Sequence, residues 1–318
     1  MTADSLTAKD AGPGPDVPKD PGRSPRALAR ARRRLAAARF WRSYRSHRAG
    51  LWGLGGLLVI ALVAICAPLL VGSDSQSVTH ASGGPLAPPS GDFPLGTDQF
   101  GRSVLALLVY GSRVSLTVGL LAAFLCVAIG TVVGIVAGHF RGWFATVLMR
   151  VTDWFLVMPT LVLAIALATV MSRSIWTVII AIGVTTWPTT ARLVRAQTLA
   201  VESRPYIERA RALGGGHLHV MLRHVLPNVM PLVLAQTTLV ISNAILTEAT
   251  LAFLGLSDPT VTSWGGMLQD AREAGAVSAG DWWYLAPPGI AIALVSLAFT
   301  MCGRTIESVL NPKLGVAR

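Results

Sequence analysis

The chain has 318 residues, of which 52% are hydrophobic and only 14% charged, and its mean hydropathy is +0.56. Ordinary soluble domains carry about 25% charged residues, so this composition excludes one and indicates an all-α polytopic membrane protein. The formal net charge of +11 would signal nucleic acid in a soluble protein; here its meaning depends on where the basic residues fall relative to the apolar runs.

Residues 1–25 are rich in Pro, Gly, Asp, Ser and Lys, lack apolar periodicity, and read as a disordered cytoplasmic tail. Pro25 then starts a stretch, Arg26 to Arg48, in which Leu28, Leu35, Phe40, Trp41 and Tyr44 are scattered among arginines. It reads as a basic amphipathic (elbow) helix on an anionic leaflet, and nucleic-acid binding is the weaker reading because a span follows at once. Leu51 to Val71 is the first span, close to the roughly 20 residues needed to cross the hydrocarbon. The length ahead of it makes it a signal anchor, and Ile65 before Cys66 stands where a lipoprotein cleavage site needs a small residue. A Gly, Pro and Ser loop follows from Ser73 to Pro94, and Leu95 to Arg102 leads into an interfacial segment around Val104 to Tyr110. Further spans are expected at Ser112–Gly138, Trp143–Met171, Ile175 to about Leu193, Asn228–Leu256 and Tyr284–Cys302, six with the first. The chain thus divides into a tail (1–25), an interfacial helix (26–48), a first span with its external segment (49–110), a five-helix core (111–312) and a cytoplasmic tail (313–318). Cys66, Cys126 and Cys302 lie in or at the end of apolar runs without metal-ligand spacing, and are read as small buried hydrophobes.

With the N-terminus inside, 23 of the 27 Lys and Arg residues fall on the cytoplasmic side, leaving Arg102, Arg113, Arg173 and Arg272 outside. That bias places the N-terminus and the polar segment Glu202–Pro231 in the cytoplasm and accounts for the net charge with no nucleic-acid partner. The external loop from Ser257 to Trp283 is acidic, and Trp282, Trp283 and Tyr284 sit where an aromatic belt is expected.

The polar segment carries the functional reading. Pro205 starts a short helix with Glu208 in its first turn, where a carboxylate suits the helix dipole. Ala210 and Ala212 keep it slim, Gly214, Gly215 and Gly216 end it, and Pro227 marks entry to the next span. A short helix between glycine and proline hinges suits docking into a groove on another protein, not catalysis.

Tyr206-Ile-Glu-Arg-Ala-Arg-Ala-Leu-Gly214 with the later Leu226-Pro227 resembles the EAA loop of importer-type ABC permeases, the coupling helix that seats in the ATPase subunit. The match falls on Glu208, Ala210, Gly214, Leu226 and Pro227; Arg209 replaces the first alanine, and His224 stands where many permeases have isoleucine. LGTDQFGR (95–102), YGSRVSL (110–116), ARLVR (191–195), RHVLPN (223–228), ILTEATLAFLGL (245–256) and SWGGML (263–268) extend the likeness to the DppC/OppC permeases of dipeptide and oligopeptide importers over about residues 45–312. Ser103 and Asn311 depart from the aspartates usual there. The resemblance implies a type I importer permease fold with a DppB/OppB-type second permease, two DppD/DppF-type ATPase subunits that bind ATP and Mg²⁺, and an external DppA/OppA-type binding protein. It implies an inner-membrane location and no cofactor or catalysis in this chain. Tyr206, Glu208, Arg209 and Arg211 would meet the ATPase, with Gly214 supplying backbone geometry. Nickel, glutathione or haem are cargoes of similar importers and stay open beside peptides.

Glu248 and Asp153 lie inside apolar runs, where an ionised carboxylate is costly unless paired or hydrated. Glu248 either lines the pathway, with Trp264 as a second candidate, or makes a hydrogen-bonded helix contact. Asp153 has Arg150 one turn away as a partner. Trp264, Trp282 and Trp283 read first as interfacial anchors. His217, His219 and His224 lack cysteine or carboxylate company, so they read as solvated or partner-facing rather than metal-binding. No P-loop or H-E-x-x-H is present. An ion-coupled secondary transporter is the second function class, and an intramembrane enzyme lacks a pair of catalytic groups at one depth.

Overall fold

The structure is a computed structural model that describes residues 34–35, 38–72 and 77–310. The expectations for residues 1–25, for most of Arg26 to Arg34, for Asn311 and for the tail 313–318 lie outside the described residues. Residues 38–43 are helical and belong to a first unit; the second unit begins at Tyr44.

The second unit is built from α1 (Arg48–Val71), α2 (Val104–His139), α3 (Trp143–Val157), α4 (Thr160–Val170), α5 (Ile175–Glu202), α6 (Pro205–Ala212), α7 (His217–Phe253), α8 (Trp264–Glu273) and α9 (Trp282–Leu310). Among the described residues five of these, α1, α2, α5, α7 and α9, are long and apolar enough to cross a membrane, and six spans result if α3 and α4 form one.

Four boundaries differ from the sequence expectation. The segment Val104–Tyr110 is no separate interfacial piece but the first turns of α2. Ser103 caps that helix, its hydroxyl accepting from the Ala106 N–H, so serine performs here what the more usual aspartate would. The expected span Trp143–Met171 is broken by a 91° bend. Pro159 supplies the reason: it has no N–H, and its ring pushes Met158 out of the helical region to φ −78°, ψ 136°. α5 continues past Leu193 to Glu202, because charged residues at a membrane surface stop insertion without stopping a helix. At about 42 Å it exceeds the roughly 30 Å of hydrocarbon. α7 begins at His217, well before Asn228, and passes through a π turn at Met221–Val225. There Pro227 cannot donate to the carbonyl one turn back, and Leu226 N–H reaches Met221 O instead.

The motifs that carry the resemblance meet in space. The Asp98 carboxylate is fully buried and accepts from the N–H groups of Phe100 and Arg102 and, at 2.6 Å, from Arg102 Nε. It closes the 95–102 loop on itself. Trp264 N–H donates to Ser115 Oγ and Trp264 Nε1 to the Leu108 carbonyl, while a side chain at Gly265 would strike Ala249. Segments 110–116, 245–256 and 263–268 therefore form one packed corner at the end of the bundle away from α6. On the other side, Tyr44 Oη donates to the Gly50 carbonyl, and Gly50 lies against Thr305 of α9.

Asp153 does not pair with Arg150. Its carboxylate accepts from Arg192 Nη2 of α5 at 2.6 Å, with the side chains 43% and 60% exposed. Exposed pairs of long side chains contribute about 0–1 kcal/mol. Asp153→Asn should accordingly change the thermal unfolding of the purified protein by no more than a few degrees, which differential scanning fluorimetry would check.

Candidate functional site

The polar segment folds as a helix held between two hinges. Arg204 is extended (φ −84°, ψ 140°) and sets Pro205 at the start of α6, where its missing N–H removes no helical bond. At the other end Leu213 N–H reaches Arg209 O, Gly214 N–H reaches Arg211 O and Gly215 N–H reaches Ala210 O. This closure needs Gly214 at φ +85°, a left-handed conformation that a side chain adopts only with strain.

One face of α6 is keyed into the bundle. Ile207 is fully buried and packs with Val201 of α5 and Val220 and Val225 of α7. The other faces are open: Tyr206, Glu208, Arg209 and Arg211 are exposed and Ala210 is half-buried. Leu213 at 89%, Leu218 at 65% and Leu222 at 55% exposure extend this surface. Leu218 and Leu222 line a depression of about 560 Å³ with His219, Arg223 and Pro227. Leu226, next to Pro227, is half-buried against the core. Exposed leucines set among arginines and histidines form a surface suited to a protein partner.

Behind this surface lies a network that the residue pattern did not reveal. Glu202, the last residue of α5, is 8% exposed, and His139, the last residue of α2, is 6% exposed. Glu202 Oε1 lies 2.5 Å from His139 Nδ1, and its other oxygen accepts from Arg211 Nη2 of α6. His139 Nε2 lies 2.9 Å from His217 Nδ1, the first residue of α7. Because a carboxylate only accepts, His139 carries its proton on Nδ1. His139 Nε2 and His217 Nδ1 share the second hydrogen bond, whose direction follows the tautomers of the two rings. The four elements α2, α5, α6 and α7 are thereby bonded in series. His217 and Arg211 thus each bond within the chain while their side chains stay exposed, bonds that the sequence reading of His217 as solvated or partner-facing and of Arg211 as a surface contact did not include. His219 and His224 meet edge to face nearby, ring centroids 5.6 Å apart, with Tyr206 6.3 Å from His224. Among the described residues no cluster of three or more His, Cys, Asp or Glu side chains could hold a metal ion. The single signal for the network was Glu202 itself, an acid at the end of an otherwise apolar and basic helix.

The other candidates lie elsewhere. Glu248 is 2% exposed and sits beside the hydroxyls of Ser115 and Ser263, and the void it faces is only about 10 Å³. Trp264 is 2% exposed and held by the two hydrogen bonds described above, so it is a packed element of the corner rather than an interfacial anchor. Trp282 is 61% exposed, at the start of α9.

The family model described as "binding-protein-dependent transport system inner membrane component" matches residues 130–316, and that described as "N-terminal TM domain of oligopeptide transport permease C" matches residues 37–89. The dipeptide transport system permease protein DppC of Alkalihalophilus pseudofirmus is 36% identical over 254 residues, 80% of this chain and 82% of the relative. The dipeptide transport system permease protein DppC of Haemophilus influenzae is 34% identical over 282 residues, covering 86% and 94%. The glutathione transport system permease protein GsiD of Pectobacterium atrosepticum is 34% identical over 276 residues, covering 86% and 90%.

Proposed function

Because the chain belongs to the family of binding-protein-dependent transport system inner membrane components, we propose that it is the DppC-type permease subunit of an ATP-driven peptide importer. In such an importer it forms one half of the pathway beside a DppB-type permease. Two ATPase subunits bind ATP and Mg²⁺ at the basic face, and an external binding protein delivers the cargo. As a membrane transport component it performs no catalysis. The arginine and lysine distribution supports a cytoplasmic position for both termini and α6.

The observation that carries this reading is α6: a short helix keyed by Ile207, hinged at Pro205 and Gly214, with exposed leucines beside it. A partner that changes shape with ATP can shift the permease between outward- and inward-open states only through contacts that differ between its own states. α6 is built to carry such contacts as a rigid lever. Tyr206, Glu208, Arg209 and Leu213 would meet the ATPase, and Arg211 would hold the lever to α5.

Replacing Gly214 tests this. Apart from its chain neighbours, no described atom lies within 4 Å of a Cβ placed there, so Gly214→Val acts through backbone strain at the hinge rather than by a clash with the bundle. The strain, about 1–2 kcal/mol, falls on the hinge. Reconstituted with its partners, the variant is expected to assemble while cargo-stimulated ATPase activity and uptake fall together about tenfold. Both persisting at wild-type level would show that α6 does not couple. Dialanine and glutathione are the cargoes to compare.

A further inference from the structure

Glu248 and Trp264 do not line an open space, but α5 and α7 do. Between them lies a cavity of about 330 Å³ lined by Thr186, Thr189 and Thr190 of α5 and by Gln236, Asn243 and Thr247 of α7. Each set lies on one helix face, at spacings of three and four residues on α5 and of seven and four on α7. Thr189 and Asn243 are exposed and Thr186, Gln236 and Thr247 half-buried.

Depth makes this notable. Asn243 lies ten residues before the end of α7 at Phe253, about 15 Å along the axis. Thr189 lies fourteen residues after the start of α5 at Ile175, about 21 Å along it. On those rises Asn243 falls near the middle of a hydrocarbon layer about 30 Å thick and Thr189 in its inner half, one turn before Arg192. Carboxamides and hydroxyls gathered at that depth do not face lipid, where unsatisfied polar groups are strongly disfavoured; they face protein or a water-filled path.

The lining is also chemically selective. Among the described residues no Asp, Glu, Lys, Arg or His side chain lines the cavity. Asparagine and glutamine each present a carbonyl acceptor and an NH₂ donor, while Thr186 and Thr247, whose hydroxyls donate to the carbonyls of Ile182 and Asn243, keep an acceptor free. That set matches the N–H and C=O of a peptide backbone, and Val240, Ala244 and Leu246 line part of the remaining wall. Neutral hydrogen bonds exchanged against water are weak, which suits a path whose cargo must leave as readily as it enters.

We infer that this cavity is the chain's contribution to the cargo pathway and that its threonine and carboxamide side chains contact the backbone amides of a peptide in transit. The inference rests on the peptide reading above. It is tested with the full importer reconstituted in vesicles with its binding protein, by comparing uptake of Ala-Lys and Ala-Glu. A carboxylate placed in the path should favour the cationic peptide: Asn243→Asp is expected to raise the Ala-Lys to Ala-Glu uptake ratio about tenfold over wild type, and Asn243→Lys to lower it. Thr189→Asp, on the facing helix, should act like Asn243→Asp and carries the test if that variant is not recovered in the membrane. The binding protein is common to all, so the change in ratio arises in the permease. An unchanged ratio in assembled variants overturns the inference. So does loss of the second permease from both aspartate variants, which would make this face a subunit interface. If wild-type vesicles hydrolyse ATP but take up neither peptide, the peptide reading itself fails, and this inference with it.

Discussion

Gly134→Leu is expected to leave almost no folded permease in the membrane. Gly130, Gly134 and Gly138 recur every fourth residue along α2 and so line one stripe of the helix. α5 lies directly on that stripe. A Cβ at Gly134 would come within 2.6 Å of the Ala191 carbonyl and 2.7 Å of Val194, and one at Gly130 within 2.8 Å of the Trp187 carbonyl. A backbone carbonyl cannot rotate away as a side-chain tip can, so the helices would have to separate. Small residues matter most in a membrane, where association depends on close packing rather than on release of water. Overpacking a tight core typically costs about 1–3 kcal/mol, and an added leucine against backbone lies at or beyond the upper end. The check is the yield of monodisperse protein after membrane extraction. Gly55→Leu is the control, because outside its own helix backbone and chain neighbours no described atom lies within 4 Å of a Cβ at that position. Equal yields for the two variants would refute the close-approach argument.

The stripe also shows what was legible from residues alone and what was not. The spans were visible because about 20 apolar residues in a row have few other uses, and α6 was visible because a basic, hinged segment interrupts them. Local punctuation failed where two rules competed. Arg192 and Arg195 look like the end of a span, yet α5 continues to Glu202, because leaving the hydrocarbon and ending a helix are different events. Pro159 looks no different from Pro188, but Pro188 stays inside α5 while Pro159 breaks the chain by 91°. Functional side chains were least legible. Glu248 drew notice because an acid in an apolar run is rare, and it lies in a packed corner. Thr189 and Asn243 drew none because they carry no charge, although their spacing on two helices was there to read. The pairing of His139 with Glu202 joins residues 63 apart, and such a contact is set by how α2 and α5 lie together.

That pairing leads to the second large effect. Glu202→Ala should uncouple the importer while leaving its ATPase subunits active. The carboxylate holds His139 on one oxygen and Arg211 on the other, so its removal both orphans a buried ring N–H and frees α6 from α5. Removing one partner of a buried pair costs about 3–5 kcal/mol. Arg211, whose side chain is 40% exposed, loses less because water can reach it, and the main burden falls on His139. With the tie to α5 gone, α6 keeps only Ile207 as an anchor. Motion of the ATPases would then rotate α6 instead of moving the bundle. Uptake is expected to fall about a hundredfold while basal ATP hydrolysis stays near wild type, so the ratio of cargo moved to ATP hydrolysed collapses. Glu202→Gln, which can still accept from one partner, should lie between. Arg211→Ala separates the two halves of the argument: it breaks the tie to α6 but leaves Glu202 on His139, so thermal stability should hold while the transport ratio drops. If Arg211→Ala transports at the wild-type ratio, the ion pair does not transmit the stroke, and Ile207 alone positions the helix.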